Sequence, residues 1–458
     1  MAKRSVDKWW ANLPGYPPRD VYPELDREHV IYYPSDLSAI DPATIWAKPN
    51  ICCYVHIPFC QHLCDFCVFL KFRPSGEEEA YLAALKKEID FYSRLPQIRG
   101  RLISALYLGG GTPSVLSARQ LADLIGHLRA RLPFAEGVEI EMEAHPLSVD
   151  PAKLETLREK GVERISFGVQ SFSDSLLRSI GSAHTADQAR HAIGLAHQAG
   201  FPKVGLDLMF GRPGETSEDW AHDVESAIEL NPASVSTYRL RVAPHTPLAR
   251  RTEGSKLWDR EGLYELWKDG VARFNSRGYG QYGGTDFARP GGESRYYRGF
   301  CRAPQQEVLG FGAGTMSYIH GHVYVNIHNL AEYAQSVAAG RLPVLMGRRI
   351  DAAEAMSRYI VLGLKSLEVS KPEFRKLFGF GIDDLYPEQL ETLEGHGLIR
   401  NDVDAIRLTS PLGTFYVNNV CKYFFTPNNW GKPQPLRYEL INVGTPSLST
   451  DSALTFLD

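Results

Sequence analysis

YVHIPFCQHLCDFCVF, residues 54–69, sets Cys60, Cys64 and Cys67 within eight positions, directly behind an apolar run. That run, ICCYVHI (51–57), is short, apolar and bounded by turn residues, the pattern of a buried strand. Three thiols in the loop that leaves such a strand have three readings. A zinc site takes four ligands, commonly as two close pairs far apart in sequence. Only one such loop is offered here, with His56 or His62 as the fourth ligand. An iron–sulfur cube takes one thiolate per iron, so three thiolates leave one iron open to a substrate. The third reading is a buried cysteine cluster without a ligand, and the polar QHLCDF speaks against it.

Outward from this loop, short apolar runs alternate with stretches of helical period. The further strand candidates are ISALYLGG (103–110), GVEIEME (137–143), RISFGV (164–169), KVGLDLMF (203–210) and ASVSTYRL (233–240). Between them lie EEEAYLAALKKEIDFYSRL, SARQLADLIGHLRARL, DPAKLETLREK, TADQARHAIGLAHQAG and SEDWAHDVESAIEL. Several of these open on a Ser, Thr or Asp cap, and Gly200 ends the fourth. Six strand–helix units predict an α/β fold of parallel strands with right-handed crossovers, a partial (β/α)6 barrel rather than a closed eight. Ligands of such sheets gather at the carboxyl ends of the strands. There the notable residues fall: the cysteines after the first strand, GGGTP after the second, Glu143 ending the third, Gln170 ending the fourth and GRPGE after the fifth.

Residues 1–50, rich in Pro, Tyr and Trp, read as an arm wrapped on a barrel of residues 51–300. Residues 301–345, with the Gly-rich strand EVLGFGAGTMSYI, read as a capping segment, and 346–458 as a mainly helical C-terminal domain with a loosely ordered last 30 residues. A chain of 458 residues with 43% hydrophobic and 23% charged residues has ordinary globular composition. A net charge of −4 calls for no nucleic-acid partner. With no apolar run of about 18 residues and no signal-peptide core, neither a membrane span nor export is expected, which gives a cytoplasmic address. Seven unevenly placed cysteines make no disulfide framework. Cys52, Cys53, Cys301 and Cys421 read as ordinary buried thiols.

C-x3-C-x2-C, together with YVHIPFC, LGGGTPS, RISFGVQSF, DLMFGRPGET and GYGQYGGTDFARPG, resembles the radical S-adenosylmethionine (radical SAM) superfamily, in the branch containing the oxygen-independent coproporphyrinogen III dehydrogenase. The resemblance implies a [4Fe–4S] cluster held by Cys60, Cys64 and Cys67. Its open iron would bind SAM, and one electron would split the C–S bond to give a 5′-deoxyadenosyl radical. Matching positions assign Tyr54 and Phe66 to flank the nucleoside, and Gly109, Gly110 and Gly111 to approach the methionine end. They assign Glu143 to the SAM ammonium and Met316 to packing on adenine. This branch holds a second SAM, and Gly111, Thr112, Gln170 and Asp207 match positions that contact it. Plainer readings stand beside these: a solvated loop acid for Glu143, turn residues for Gln170 and Asp207, a core methionine for Met316. In one place the chain departs. Where the family commonly has an arginine to grip the second SAM's carboxylate, GSAH places Ser182, which cannot make a bidentate charged contact. Arg212 in GRPGE, or Arg241 after the sixth strand, is expected to replace that charge.

Val68 and Phe69 stand where the coproporphyrinogen enzyme has Gly-Cys. Loss of that pair, with the two-SAM positions kept, favours transfer of a SAM-derived methyl or methylene group to an sp2 carbon, as in the related class C methyltransferases and cyclopropane-forming enzymes. Porphyrinogen oxidation or heme modification is the alternative. A heme-binding chaperone without turnover is a third reading, disfavoured because Tyr296, Tyr297 and Cys301 in ESRYYRGFC replace the His-Asn…Tyr-Trp of such relatives. The implied partners are a small-molecule substrate, an external electron donor of flavodoxin or ferredoxin type and, for methyl transfer, an accessory methyltransferase-like protein.

Overall fold

The apolar runs form β1 (Asn50–Ile57), β2 (Leu102–Gly110), β3 (Phe134–Ala144), β4 (Arg164–Gln170), β5 (Lys203–Phe210) and β6 (Ser234–Arg239). They pair in sequence order and all in parallel. The crossovers are α1 (Glu78–Tyr92), α2 (Ala118–Arg131), α3 (Pro151–Glu159), α4 (Ala186–Gln198) and α5 (Ser217–Glu229), and α6 (Arg260–Ser276) follows β6. The structure is a computed structural model that describes residues 50–425 except 96–97, 244–245, 254–256, 302–305 and 351. The expected arm (1–49) and loose tail (426–458) lie outside the described residues.

Local chemistry sets where these helices begin. Ser117 with Gln120, Thr185 with Gln188 and Thr216 with Asp219 form reciprocal capping boxes. Asp150 and Asp259 cap α3 and α6 by accepting from Lys153 N and Gly262 N. On α2, Leu121, Leu124, Ile125 and Leu128 follow the i, i+3, i+4, i+7 spacing and are all buried. Each such side chain contributes about 1.5–3 kcal/mol on leaving water. No helix among the described residues is long and apolar enough to cross a membrane.

The sheet does not close. Beside β1 lies β9 (Glu307–Phe311), also parallel, and then β10 (Met316–Ile319), β11 (His322–Asn326) and β12 (Val344–Arg349) continue antiparallel to the edge. Beyond β6 come β8 (Asp286–Ala288) and β7 (Gly280–Gln281), antiparallel. The segment expected to cap the barrel therefore widens its sheet instead. β9 adds a seventh parallel strand and covers what would be an open edge of β1. In the C-terminal region the helices Ala352–Lys365, Lys371–Phe378 and Pro387–Gly395 are accompanied by a three-stranded antiparallel sheet of β13 (Glu368–Ser370), β15 (Ala405–Leu408) and β14 (Ile399–Asn401). Strands of three and four residues show no readable alternation, so the sequence pattern passes over them.

Candidate cluster and cofactor site

In the carboxyl halves of the six strands Tyr54, Tyr107, Glu143, Gln170, Asp207 and Tyr238 are only half-buried. Their contacts show that they share a face. Tyr54 and Tyr107 are register partners with rings stacked 5.7 Å apart. Tyr296, from the short helix Arg295–Phe300, lies 5.0 Å from the Tyr107 ring and 6.1 Å from that of Tyr54. Tyr107 donates to Glu143 Oε1 at 2.6 Å, and the Tyr238 hydroxyl hydrogen-bonds Gln170 Oε1. Sequence reading missed Tyr107 and Tyr238. The period-two alternation of YLGG, which puts Tyr107 on the face of Gly109, was the available signal.

The cysteine loop is closed at its base. Cys60 N donates to Phe72 O at 2.9 Å and Phe72 N to Pro58 O at 2.7 Å. Lys71 Nζ reaches Cys67 O at 2.6 Å. The glycine loop docks against it through Gly111 N to Ile57 O, 2.9 Å, and Thr112 N to Phe59 O, 2.8 Å. Thr112 Oγ1 donates to Cys60 Sγ at 3.3 Å. A Cβ on Gly111 would sit 2.9 Å from Phe59 O and 3.0 Å from Cys60 Sγ, so only glycine lets the two loops approach. Gly110 has a φ of 116°, and a Cβ there would lie 2.5 Å from the His56 ring.

Three thiols in this loop fit an iron–sulfur cluster better than a single ion. Burial, and then the neighbouring Cys67 and Cys60, push the Cys64 thiol up to about 12. Thiolates so crowded need a positive centre to ionise. Among the described residues no group of three or more His, Cys, Asp or Glu side chains is placed to hold a metal ion. A four-iron cube needs no such group, since each thiolate takes its own iron. His56 and His62 are engaged elsewhere: His56 Nε2 lies 3.4 Å from Leu70 O and His62 Nε2 2.9 Å from Gly181 O.

Glu143 is a carboxylate with hydrogen-bond donors but no cation beside it among the described residues. Tyr107 and Gly110 N, at 2.6 and 3.0 Å, hold its two oxygens, yet burial still pushes its pKa up to about 7. Asp207 goes further, to about 8, through burial and then the nearby Glu143 and Asp286. Its hydrogen bond from Ser166 Oγ is long, 3.4 Å. Gln170 is held at a φ of 67°, a left-handed conformation that costs energy outside glycine.

One sequence assignment is corrected here. Arg212 does not offer its charge to a ligand. It is fully buried, with Nη2 2.5 Å from Glu215 Oε1 and 2.7 Å from Asp223 Oδ2, and Nη1 donating to Gln170 O at 3.0 Å. Burial pulls its pKa down, but the two carboxylates more than offset this and keep it charged. Its function is to clamp the strained Gln170 backbone from behind. Phe66, expected to flank a nucleoside, is half-buried and rests against Ile180, Met209, Leu240 and Leu248 on the β4–β6 side of the rim. Met316 opens β10, half-buried against the main core. Arg241 lies just past β6, half-buried. Ser182 brings no charge: its hydroxyl lies 3.1 Å from His184 Nδ1, while His184 Nε2 faces Val169 O at 2.9 Å.

The radical SAM superfamily profile matches residues 54–227. The chain is 33% identical to the heme chaperone HemW of Bacillus subtilis, across 78% of this chain and 94% of that protein. It is 28% identical to the oxygen-independent coproporphyrinogen III oxidase of Escherichia coli, across 81% and 85%. The solved structure of coproporphyrinogen III oxidase (HemN) from E. coli matches with a TM-score of 0.74 at 26% identity, covering 87% of this chain and 97% of that one. Methyl or methylene transfer, expected from the sequence, finds no support in these relatives, which carry heme or porphyrinogen functions instead. The chain belongs to the radical SAM superfamily, in the branch of HemN and HemW, and its cofactors are a [4Fe–4S] cluster and SAM.

Proposed function

We propose that this protein binds a tetrapyrrole at the carboxyl-end mouth of its sheet and handles heme, as the name of HemW describes. The observation that carries the reading is the 33% identity to a heme chaperone over 94% of that protein's length. Two features of the site support it. Tyr54, Tyr107, Tyr238 and Tyr296 line the half-buried face and offer flat apolar surfaces to a macrocycle. Val68 and Phe69, beside Cys67, are 38% and 59% exposed and form an apolar lip.

Cys60, Cys64 and Cys67 would hold three irons of the cluster, and Glu143, oriented by Tyr107 and Gly110, would receive the ammonium of SAM. Gly109, Gly110 and Gly111 would let the backbone approach the ligand. Gln170, Asp207 and Thr112 would hold whatever lies beside it, a second SAM included. The bound cofactors supply one-electron cleavage of a carbon–sulfur bond. The protein's part is to place ligands and exclude water. An external electron donor is part of this proposal; an accessory methyltransferase-like protein is not.

Porphyrinogen oxidation is the second reading, favoured by the TM-score of 0.74 to HemN. The test is product analysis on anaerobically reconstituted full chain with SAM and a strong reductant. Heme retained through gel filtration, without 5′-deoxyadenosine formed on coproporphyrinogen III, supports the chaperone. Carbon dioxide and 5′-deoxyadenosine released together from coproporphyrinogen III overturn it in favour of the oxidase.

A further inference from the structure

The cysteine loop leaves β1, yet its middle is fastened to the opposite rim. In the sheet, β1 and β4 are separated by β2 and β3, roughly 14 Å of sheet width at the usual strand spacing. His62 Nε2 lies 2.9 Å from Gly181 O, in the turn after β4 and the short helix Asp174–Ser179. Leu248 N, from the helix Pro247–Arg251 after β6, donates to Asp65 O at 3.1 Å. Arg251 pairs with the Asp65 carboxylate and donates from Nη2 to Arg178 O and Ser179 O, each at 3.1 Å. Phe66 seats in the small apolar cluster of Ile180, Met209, Leu240 and Leu248, distinct from the main core. Gly181 has a φ of 69°, and a Cβ there would lie 2.4 Å from Asp65 Cγ, so the turn leaves room for Asp65 only as glycine. Four independent contacts thus hold residues 62–66 across the mouth, immediately around Cys64.

We infer that Asp65, Phe66 and Arg251 are positioning residues for the cluster: they form a latch that fixes Cys64 and Cys67 relative to Cys60 from the far side of the sheet. The inference rests on the reading of the three cysteines as cluster ligands. Phe66 carries most of the hold, because the Arg251–Asp65 pair is 47% and 24% exposed and pairs of that kind are weak. The latch also couples the cluster to the rim that carries Gln170, Asp207 and Tyr238. A ligand pressing on that rim therefore reaches the cluster through the loop.

The experiment uses the full chain with Arg251→Ala, Phe66→Ala and Arg251→Lys, and Arg73→Ala as a control on the same loop away from the latch. Hydrogen–deuterium exchange of residues 60–72 in the metal-free protein reads the latch without any cluster. Iron loss after anaerobic reconstitution and the electron paramagnetic resonance spectrum of the reduced protein read its effect on the cluster. Exchange is expected to quicken in residues 60–72 alone. Iron loss should quicken about two- to fivefold in Arg251→Ala and about tenfold in Phe66→Ala. The spectrum should change in both, with partial recovery in Arg251→Lys and no change in Arg73→Ala. Unaltered exchange in residues 60–72 overturns the latch, as does faster exchange spread evenly over the chain. Wild-type protein that takes up no iron refutes the cluster reading, while the exchange result still decides the latch.

Discussion

Asp207 stands on β5 with a single long hydrogen bond from Ser166 and with Glu143 and Asp286 as its acidic neighbours. The Arg164 guanidinium, tied to Glu141 at 2.7 Å, offsets this only in part. Burial pushes Asp207 up to about 8, and Glu143 and Glu88 each up to about 7. In the unfolded chain these groups ionise near the ordinary value of about 4. Between that value and 7–8 the folded state holds protons that the unfolded state has lost, so the derivative of stability with pH is negative there. The contribution is fully present below about pH 4 and is lost as pH rises through 7–8. Metal-free protein should therefore melt at a higher temperature at pH 6 than at pH 8.5. Asp207→Asn should narrow that gap and raise the pH 8.5 midpoint by roughly 1–3 °C. Calorimetry at the two pH values checks this, and a wild-type midpoint that climbs from pH 6 to 8.5 contradicts it. A cation bound at Glu143 or Asp207 reverses the sign locally, because it lets the carboxylate ionise without penalty.

At the level of elements, the turn after β5 is built around an ion triad. Arg212 is shared by Glu215 and Asp223, and Asp223 also accepts from Ser171 Oγ at 2.8 Å and Phe172 N at 2.6 Å. One guanidinium thereby joins the start of α5 to the end of β4 and holds the Gln170 carbonyl. Removing it strands two buried carboxylates. Arg212→Ala should cost about 3–5 kcal/mol in urea unfolding. Arg212→Lys should recover only part, since a point charge cannot span both acids and the carbonyl. Equal stability of the alanine variant and wild type would show that the triad is not structural. The same turn shows what sequence could and could not reveal. Cys60, Cys64, Cys67 and Gly109 to Gly111 stand out in the sequence because their spacing is local. The strands were legible because parallel strands buried on both faces are continuous apolar runs. Arg212 was misread because its partners depend on α5 folding back, although Glu215 three residues on was a visible hint. The apolar seat of Phe66 was not legible because it draws on four separate segments of the chain.

Across the whole molecule, the site depends on strands far downstream of the motifs that reveal it. No local pattern says that β9 must lie beside β1. Two polar contacts enforce that place. Arg101, leading into β2, pairs with the fully buried Glu307 that opens β9. Glu88 on α1 accepts from Gly312 N at 2.8 Å, Asn326 Nδ2 at 2.7 Å and Tyr333 OH at 2.5 Å, tying α1 to the β9–β10 turn, β11 and the helix Leu330–Ala338. Tyr81, two turns earlier on α1, donates to His56 O at 2.8 Å and accepts from Ala313 N at 3.1 Å, so the same helix braces the end of β1 just ahead of the cysteines. A chain cut after residue 300 keeps all three cysteines, the glycines and Glu143. It loses β9, bares the hydrogen-bonding edge of Ile51 to Val55 and leaves Glu88 buried without its three donors. An exposed apolar edge strand pairs with other copies. That fragment should elute as aggregate in size-exclusion chromatography and retain no iron after reconstitution, whereas a chain ending at residue 425, which keeps every described element, should elute as a compact species and bind it. A compact, iron-binding 1–300 fragment would mean that the six-strand unit is self-sufficient and that β9 only decorates it.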